Sequence, residues 1–538
     1  MTSVLLALVA SPAMACGGFF CDNNAPIDQS AERIVFAVDE PAGEVTMHVQ
    51  VVYSGASDHF AWILPVTGAP DLFVSSDTLF TTLAYMTEPQ FYLDYTNTNG
   101  CETWWPPSVE YDLSDSDGGT NGGVTVVSQQ AVGPYDTVVL QADNTAALLQ
   151  WLQDEGYDLP AELDPVLQPY VADNQYFVAL KLAAGKDVGD LTPLGLRYAG
   201  TKPAIPIQLT SIAATPNMRL EAYVLGDARA VPDNYLHVTI NEAAIDWFNG
   251  GSNYDDVITL AADEAGGHAF ATDFSGSTAP FRGLLWSEGR FDLASLRTLN
   301  DPVEYVNALI GQGFPGSAAM LDFLLTNVPL PQAAIDAGVD PQSFYNCMSC
   351  YPEYTSAIVF DANTATDALD EKIVEPLHQA DQLFQSFDHL SRMTSSLDAI
   401  EMDVDPIFTF NADLPQEINN VHRATVEMDC GVSSNWDSAD RTLILSDGRS
   451  VRLPSVNWLR EHDMTELEYM ADLTTPAAIV IEDYGSSGLG TLIGDWRADA
   501  AAMFLGFGGN GCGCAAGRPA WSLPIGLLSV ALLRRRRA

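Results

Sequence analysis

Apolar and polar residues alternate with a period of two along several stretches of the first half of the chain. Val45, Met47, Val49 and Val51 fall on one side of an extended segment, with Thr46, His48, Gln50 and Val52 on the other, which is the pattern of a strand. Ile34 to Val38 and Phe60 to Val66 are β-branched or aromatic runs bounded by Gly, Pro or Asp, so the three together predict a hairpin or meander. Val124 to Gln130, Tyr135 to Ala142 and Gln175 to Leu182 predict further strands. Ile205 to Ile212, Arg219 to Leu225 and Tyr235 to Ile240 lie between turns rich in Pro, Gly and Asp. Pro206 sits near the start of the first of these runs, where a missing N–H is tolerable. They predict an antiparallel sheet within a β-rich part spanning residues 16–290.

Helical spacing marks other segments. Ser75 to Met86 reads as a helix with Asp77 as its cap. Asp143 is placed to cap a helix that shows Ala147, Leu148, Trp151 and Leu152 on one face and stops at Gly156. Ala161 to Val171 and Tyr254 to Glu264 predict two more, and Gly266 to Phe270 a turn into a short strand. Beyond about residue 290 the pattern becomes mainly helical, through Leu293 to Gln312, Gly316 to Asn327 and Thr364 to Met393, which defines a part spanning 291–425. Val426 to Cys430, Arg441 to Leu445 and Ser450 to Leu453, with an Asp447-Gly448 turn, predict a small α+β part over 426–505. Thr96 to Gly123 is loop material and reads as a surface insertion. The fold class is α+β.

The two ends differ from the body. Met1 to Ala15 has an uncharged apolar centre and closes on Ala13-Met14-Ala15, the small-x-small pattern that signal peptidases accept. Cleavage would leave Cys16 first. Acylation of Cys16 is the alternative to plain secretion, although Ala13 stands where a lipobox carries Leu. At the other end a Gly-rich linker, 506–518, holds Cys512 and Cys514; Pro519 to Leu533 is mostly apolar, and Arg534, Arg535, Arg536 and Arg537 follow. As helix this run reaches about 22 Å, short of the roughly 30 Å hydrocarbon core, a gap that snorkelling arginines and local thinning bridge. The arginines should stay cytoplasmic. Cys, short hydrophobic helix and Arg cluster together resemble the myxobacterial C-terminal sorting domains. That resemblance implies that 519–538 is a processing signal, cut near the Cys by a membrane-bound sorting protease while the body goes to the cell surface. A permanent membrane anchor is the other reading.

A second resemblance runs through the body. It is carried by Cys16-Gly-Gly-Phe-Phe-Cys21, Pro193 to Tyr198, Pro206 to Thr210, Val224 to Asp227, Val231 to Tyr235, Asp263 to Gly267, Ile400 to Pro406 and Phe408 to Leu414. This set resembles the bacterial domain of unknown function 2330 family over most of residues 16 to 430. The resemblance implies no activity, ligand or site residue.

Length and charge narrow the function classes. A chain of 538 residues holds about two to four domains. It carries 71 acidic against 23 basic residues, a net charge of -48, and lacks the clustered Lys and Arg that phosphate backbones need, so nucleic acid is excluded as a partner. Scattered acids serve solubility and salt tolerance of an exposed surface, or diffuse binding of divalent cations.

The chemistry searched for is sparse. Six cysteines belong to the body, Cys16, Cys21, Cys101, Cys347, Cys350 and Cys430, an even count that predicts three disulfides in an oxidising compartment. Spacing suggests Cys16 with Cys21 and Cys347 with Cys350, leaving Cys101 with Cys430. A redox role for Cys347-Met-Ser-Cys350 would need a helix N-terminus after a strand, and zinc would need a second ligand pair. The acidic loop Asp112 to Gly123 fails as a calcium loop, because Leu113 and Val124 fall on ligand positions. Gly506, Gly508 and Gly511 satisfy GxGxxG but lie in a linker. No cofactor is implied. His268, His422, Asp403 and Asp405 remain as isolated candidates in turns, with Asx hydrogen bonding before Pro406 as the plain alternative for the aspartates.

These features lead to two expectations. The first is an exported, non-catalytic envelope or surface module with no assigned ligand. The second is an unrecognised hydrolase built on Asp403, Asp405, His268 or His422, which requires those side chains to converge in one pocket.

Overall fold

The computed structural model describes residues 19–20, 28–54, 61–98, 125–133, 135–154, 163–182, 192–430, 435–471 and 476–497. Cys16, Cys21, Cys101, Cys512, Cys514, the segment from Met1 to Ala15 expected to be a leader, and the segment with Arg534 to Arg537 expected to be a sorting tail lie outside the described residues.

Alternation builds the first hairpin as expected. Asp28–Asp39 pairs antiparallel with Glu44–Ser54, with Ile34 opposite Val49 and Phe36 opposite Met47. Because successive side chains point to opposite faces, Ile34, Phe36, Val38, Val45, Met47 and Val49 enter one core, whereas Val35 and Ala37 enter another. The hairpin sits inside a 10-stranded sheet. Its spatial order is Thr491–Asp495, Ala478–Asp483, Leu236–Ile240, Ala269–Ser277, His389–Leu397, Ala214–Gly226, Asp28–Asp39, Glu44–Ser54, Leu194–Ala199 and Asp71–Val74.

Each face of this sheet is covered. On one side a 5-stranded sheet of Phe19–Phe20, Ala61–Val66, Tyr176–Leu182, Tyr135–Gln141 and Thr125–Val132 contributes Trp62, Leu64, Val66, Val178 and Leu180 to the shared core. Its own far face packs Ile63, Leu140 and Phe177 against the helices Thr145–Asp154 and Leu163–Ala172, through Leu148, Trp151, Leu152, Leu167 and Tyr170. On the other side of the large sheet, Val35, Tyr223, Leu225 and Leu390 meet Tyr305, Phe323, Phe344, Leu369 and Phe384 from the helices between Leu293 and Ser386. The layers therefore run helices, sheet, sheet, helices. A third core joins Val238, Ala269 and Ala271 to the helix Tyr254–Glu264 and to Phe91, Val426, Leu443 and Val451. The last four belong to a 4-stranded sheet of Ser450–Leu453, Asp440–Ile444, Val421–Asp429 and Gln90–Asn97.

The fold is mixed α/β, and several expectations need correction. The sheets are not purely antiparallel: Ala214–Gly226 runs parallel to Asp28–Asp39, Leu236–Ile240 parallel to Ala269–Ser277 and Val421–Asp429 parallel to Gln90–Asn97. Ile205 to Ile212 is not a strand but a bend followed by the short helix Ile207–Thr210. Its apolar residues serve two cores, Ile205 and Ile207 one and Leu209 the other, and Pro206 brings no N–H for a ladder. The helix expected to reach Met393 ends at Ser386, and His389–Leu397 is a strand buried along its whole length. The large sheet thus draws strands from all three parts that sequence pattern separates between residues 16 and 505. The first-turn caps shift by one residue: Ser76 Oγ accepts from Thr78 N at 3.3 Å in place of Asp77, and Asn144 Oδ1 accepts from Ala147 N at 2.9 Å in place of Asp143. Tyr254–Glu264 is a helix with the expected bounds.

Two polar strand centres meet on the helical side of the large sheet. Arg392 and Glu221 are 0% and 2% exposed, and Arg392 Nη2 lies 3.4 Å from Glu221 Oε1. Arg219 Nε reaches the same oxygen at 2.8 Å, and Arg33 Nε reaches Oε2 at 3.4 Å. Tyr223 donates its hydroxyl to Glu221 Oε2 at 2.9 Å. Asp273 faces Arg392 Nε at 3.5 Å and accepts from Tyr254 and Thr394. Burial alone would raise the Glu221 carboxyl, but Arg392, Arg219 and Arg33 outweigh it and hold the group down at about 2. The folded pKa is depressed, so its stabilisation is complete above the ordinary carboxyl range and is lost as pH falls through about 2. Removing one partner from a buried charge cluster strands the others. We expect Glu221→Gln to cost about 3–5 kcal/mol in urea unfolding at pH 7 and the deficit to shrink toward pH 2. A loss below about 1 kcal/mol at pH 7 would refute this role.

Candidate functional site

Three of the segments that carry the family resemblance, Pro206 to Thr210, Val231 to Tyr235 and Asp263 to Gly267, converge on one loop, 398–410. Asn234 anchors it from below, donating Nδ2 to Asp405 O at 2.8 Å and accepting Ile407 N on Oδ1 at 2.7 Å. Tyr235 donates its hydroxyl to Val404 O at 2.7 Å, and Asp233 N donates to Ile407 O at 2.7 Å. Ala230–Pro232 then pairs with Phe408–Phe410 in a two-stranded ladder. From another side, Asp405 Oδ1 accepts from Gln208 N at 3.0 Å and from the Tyr170 hydroxyl at 2.9 Å. His268 Nε2 meets Asp403 Oδ1 at 2.7 Å and sets its ring edge-on to Tyr235 at 5.0 Å. Gly267 has φ +84°, and a Cβ there would lie 2.6 Å from Glu401 Oε1. The glycine is required both by the left-handed turn and by the close approach of the loop.

Two carboxyls in this corner are perturbed. Burial raises Asp405 to about 6 despite the pull of its Gln208 and Tyr170 hydrogen bonds. Asp263 rises to about 6 through burial and then through the charges of Glu401, Asp398 and Glu264. Pushed-up carboxyls are the raw material of acid catalysis. Here, however, Asp405 is tied to two donors, and Asp403 to His268.

The other candidates lie elsewhere. His422 sits on Val421–Asp429, with Nδ1 at 2.9 Å from Glu242 Oε1 and its ring stacked on Phe91 at 4.9 Å. Cys347 and Cys350 form a disulfide in the turn after the helix Pro341–Asn346. Cys430 is disulfide-bonded as well, while Cys101, its expected partner, lies outside the described residues. A half-open apolar cavity of about 80 Å³ opens between the helices Pro302–Gly311, Ala318–Asn327 and Pro341–Asn346, lined by Val306, Leu309, Phe314, Met320, Leu324 and Tyr345 among others. None of His268, His422, Asp403 or Asp405 lines it. Among the described residues no group of His, Cys, Asp and Glu is arranged to hold a metal ion.

Sequence reading missed two buried polar clusters. Ser275 Oγ lies 2.8 Å from His389 Nε2 and 3.2 Å from Ser391 Oγ. Both serines are fully buried, and Ile418 pairs with the Ser275 backbone in both directions, so this serine–histidine pair has no face open to a substrate. Arg229 and His237 form the second cluster, with Thr272 and Tyr484. Neither cluster leaves a clear local signal: Ser275 and His389 lie 114 positions apart, and Arg229 and His237, although 8 positions apart, meet Thr272 and Tyr484 from distant segments.

A family model described as an uncharacterized protein conserved in bacteria, domain of unknown function 2330, matches residues 10–280, slightly more than half of the 538 residues. It supports the resemblance up to that point; loop 398–410 lies beyond the match, but Tyr170, Gln208, Asn234, Tyr235 and His268, which hold the loop, lie within it. No curated protein and no solved structure matches the chain.

The raised Asp405 carboxyl has a consequence for stability. Its folded pKa of about 6 exceeds the ordinary 3.8, so its contribution is complete below 3.8 and is lost as pH rises through 6. Asp405→Asn keeps the Oδ1 acceptor and removes the charge. It should therefore be more stable than the parent by about 3 kcal/mol at pH 8 and equal to it below the ordinary carboxyl pKa, measured by urea unfolding across pH. A difference independent of pH would contradict the assignment.

Proposed function

Because the chain belongs to the domain of unknown function 2330 family, described only as uncharacterized, we propose that it is an exported, non-catalytic module of the cell envelope or surface. Its positively charged hydrophobic tail would hold it to the membrane until a sorting protease removes it. The observation that carries the non-catalytic part is the use made of the candidate side chains. Asp405 ties Gln208 and Tyr170, Asp403 ties His268, and Glu242 ties His422. Each acts as a strut between segments distant in sequence, and the apolar cavity touches none of them.

The exported part rests on sequence: Met1 to Ala15 as a leader, an even set of six body cysteines, and Pro519 to Arg537 as the tail. The Cys347–Cys350 disulfide fits an oxidising compartment. Among the described residues no helix is long and apolar enough to cross a membrane, so membrane attachment in this reading falls to Pro519 to Leu533.

Intact mass spectrometry of the protein released from its native host's surface, with and without reduction, tests the reading. The expected mass runs from Cys16 to about Cys512 and rises on reduction by the hydrogens of three disulfides. A mass that retains Arg534 to Arg537 would make the protein a permanently anchored one and overturn surface release.

A further inference from the structure

We propose that Arg229, His237, Thr272 and Tyr484 frame a buried site for a small oxyanion, such as a carboxylate, sulfate or phosphate group. The inference goes beyond the surface-module reading and does not depend on where the protein resides.

Arg229 is 3% exposed, and among the described residues no carboxylate lies within ion-pairing distance of it. Its side-chain hydrogen bonds are to neutral acceptors and are long: Nη1 to Pro415 O at 3.3 Å, Nη2 to Thr272 Oγ1 at 3.4 Å and Nη2 to His237 Nε2 at 3.5 Å. The guanidinium also lies 5.6 Å from the centre of the Tyr484 ring. Charge-assisted bonds are normally nearer 2.7–2.9 Å, so the guanidinium is only loosely matched. Its Nε–H has no acceptor at all. Glu482, the carboxylate whose charge bears on Arg229, accepts the Tyr484 hydroxyl at 2.7 Å.

His237 adds a second unmatched donor. Burial and then the Arg229 charge push its imidazole down to about 3, so it is neutral at pH 7. A guanidinium can only donate, so Nε2 must be the acceptor toward Arg229 and toward the Thr272 hydroxyl at 3.0 Å. The ring proton is then on Nδ1, which is buried and has no partner.

A buried cation among neutral groups, with unmatched N–H donors on two side chains, is costly unless something negative joins it. Arg392, whose nitrogens likewise lack hydrogen-bond partners, differs in that three carboxylates approach it within 4 Å. Two loops touch the cluster, one through Gln416 and the other through Tyr484; they are joined by packing of Leu414 and Tyr484 with Val231 and by hydrogen bonds. Asn411 Nδ2 donates to Gly485 O at 2.7 Å and to Gly488 O at 3.0 Å, and Gly488 N donates to Asp413 Oδ2 at 2.7 Å. Gln416, in the first loop, accepts from the Arg229 backbone at 2.7 Å.

Calorimetric titration of the purified full-length chain with sodium sulfate, sodium phosphate and sodium acetate, at ionic strength held constant with chloride, tests the site. One saturable site is expected for at least one of the three, and which of them binds separates a tetrahedral oxyanion from a carboxylate. Arg229→Lys keeps the charge but loses the fork and should bind about tenfold more weakly; Arg423→Lys, on the exposed face of the 4-stranded sheet, should bind as the parent does. If Arg229→Lys does not fold, His237→Phe serves for comparison, with binding weakened about fivefold or more. No saturable binding of any anion by the parent overturns the proposal. So does binding that the substituted chain retains within about twofold, which would mean an adventitious ion only.

Discussion

Three arginines sharing the carboxylate of Glu221 form the constraint on which this architecture turns. Buried ions need opposite charge close by, and here the matching partners come from three neighbouring strands: Arg33 from Asp28–Asp39, Glu221 and Arg219 from Ala214–Gly226, and Arg392 from His389–Leu397. A one-residue slip of any of these strands would turn its charged residue to the opposite, apolar core. The cluster therefore fixes the register of strands drawn from both sides of the helical segment. Tyr254 extends the same network to the helix Tyr254–Glu264 through Asp273.

That registration explains how a long helical excursion can leave and re-enter one sheet. The chain exits the large sheet at Ser277, builds the helical layer from Leu293 to Ser386 and returns at His389 between Ala269–Ser277 and Ala214–Gly226. On re-entry it delivers Met393 and Leu397 to one core and Leu390 to the other, and it leads directly into loop 398–410. The loop's position follows from the strand's register, and the family-like turns around Gln208, Asn234 and His268 then close on it. The corner is a structural junction first, and its two raised carboxyls follow from the burial that the junction imposes.

Legibility in sequence tracked how local the determining forces are. The hairpin of Ile34 to Tyr53 and the helix Tyr254–Glu264 follow from periodicity because each buries a face that its own residues define. The strand His389–Leu397 looks in sequence like the end of a helix because its Ser, Arg and Thr residues suit neither an apolar run nor a clean alternation; they are buried by polar partners more than a hundred residues away, as Thr394 is by Asp273. Ile205 to Ile212 mimicked a strand because its alternate residues serve two different cores. In the candidate site, His268, Asp403 and Asp405 were visible as residue types, but the His268–Asp403 pair spans 135 positions and leaves no local trace. Arg229 and His237 carry no sequence signal, since a buried, unmatched arginine is a property of surroundings and not of sequence spacing.

Native-state hydrogen exchange, resolved by peptide, reaches the central claim most directly. If the charge cluster registers the returning strand, the amides of residues 389–397 will exchange in the slowest class together with those of Asp28–Asp39 and Ala214–Gly226, and all three segments will open as one unit. Exchange of 389–397 at the faster rate of the helical layer, while the other two strands stay protected, would show that the strand is an accessory to that layer and contradict the account.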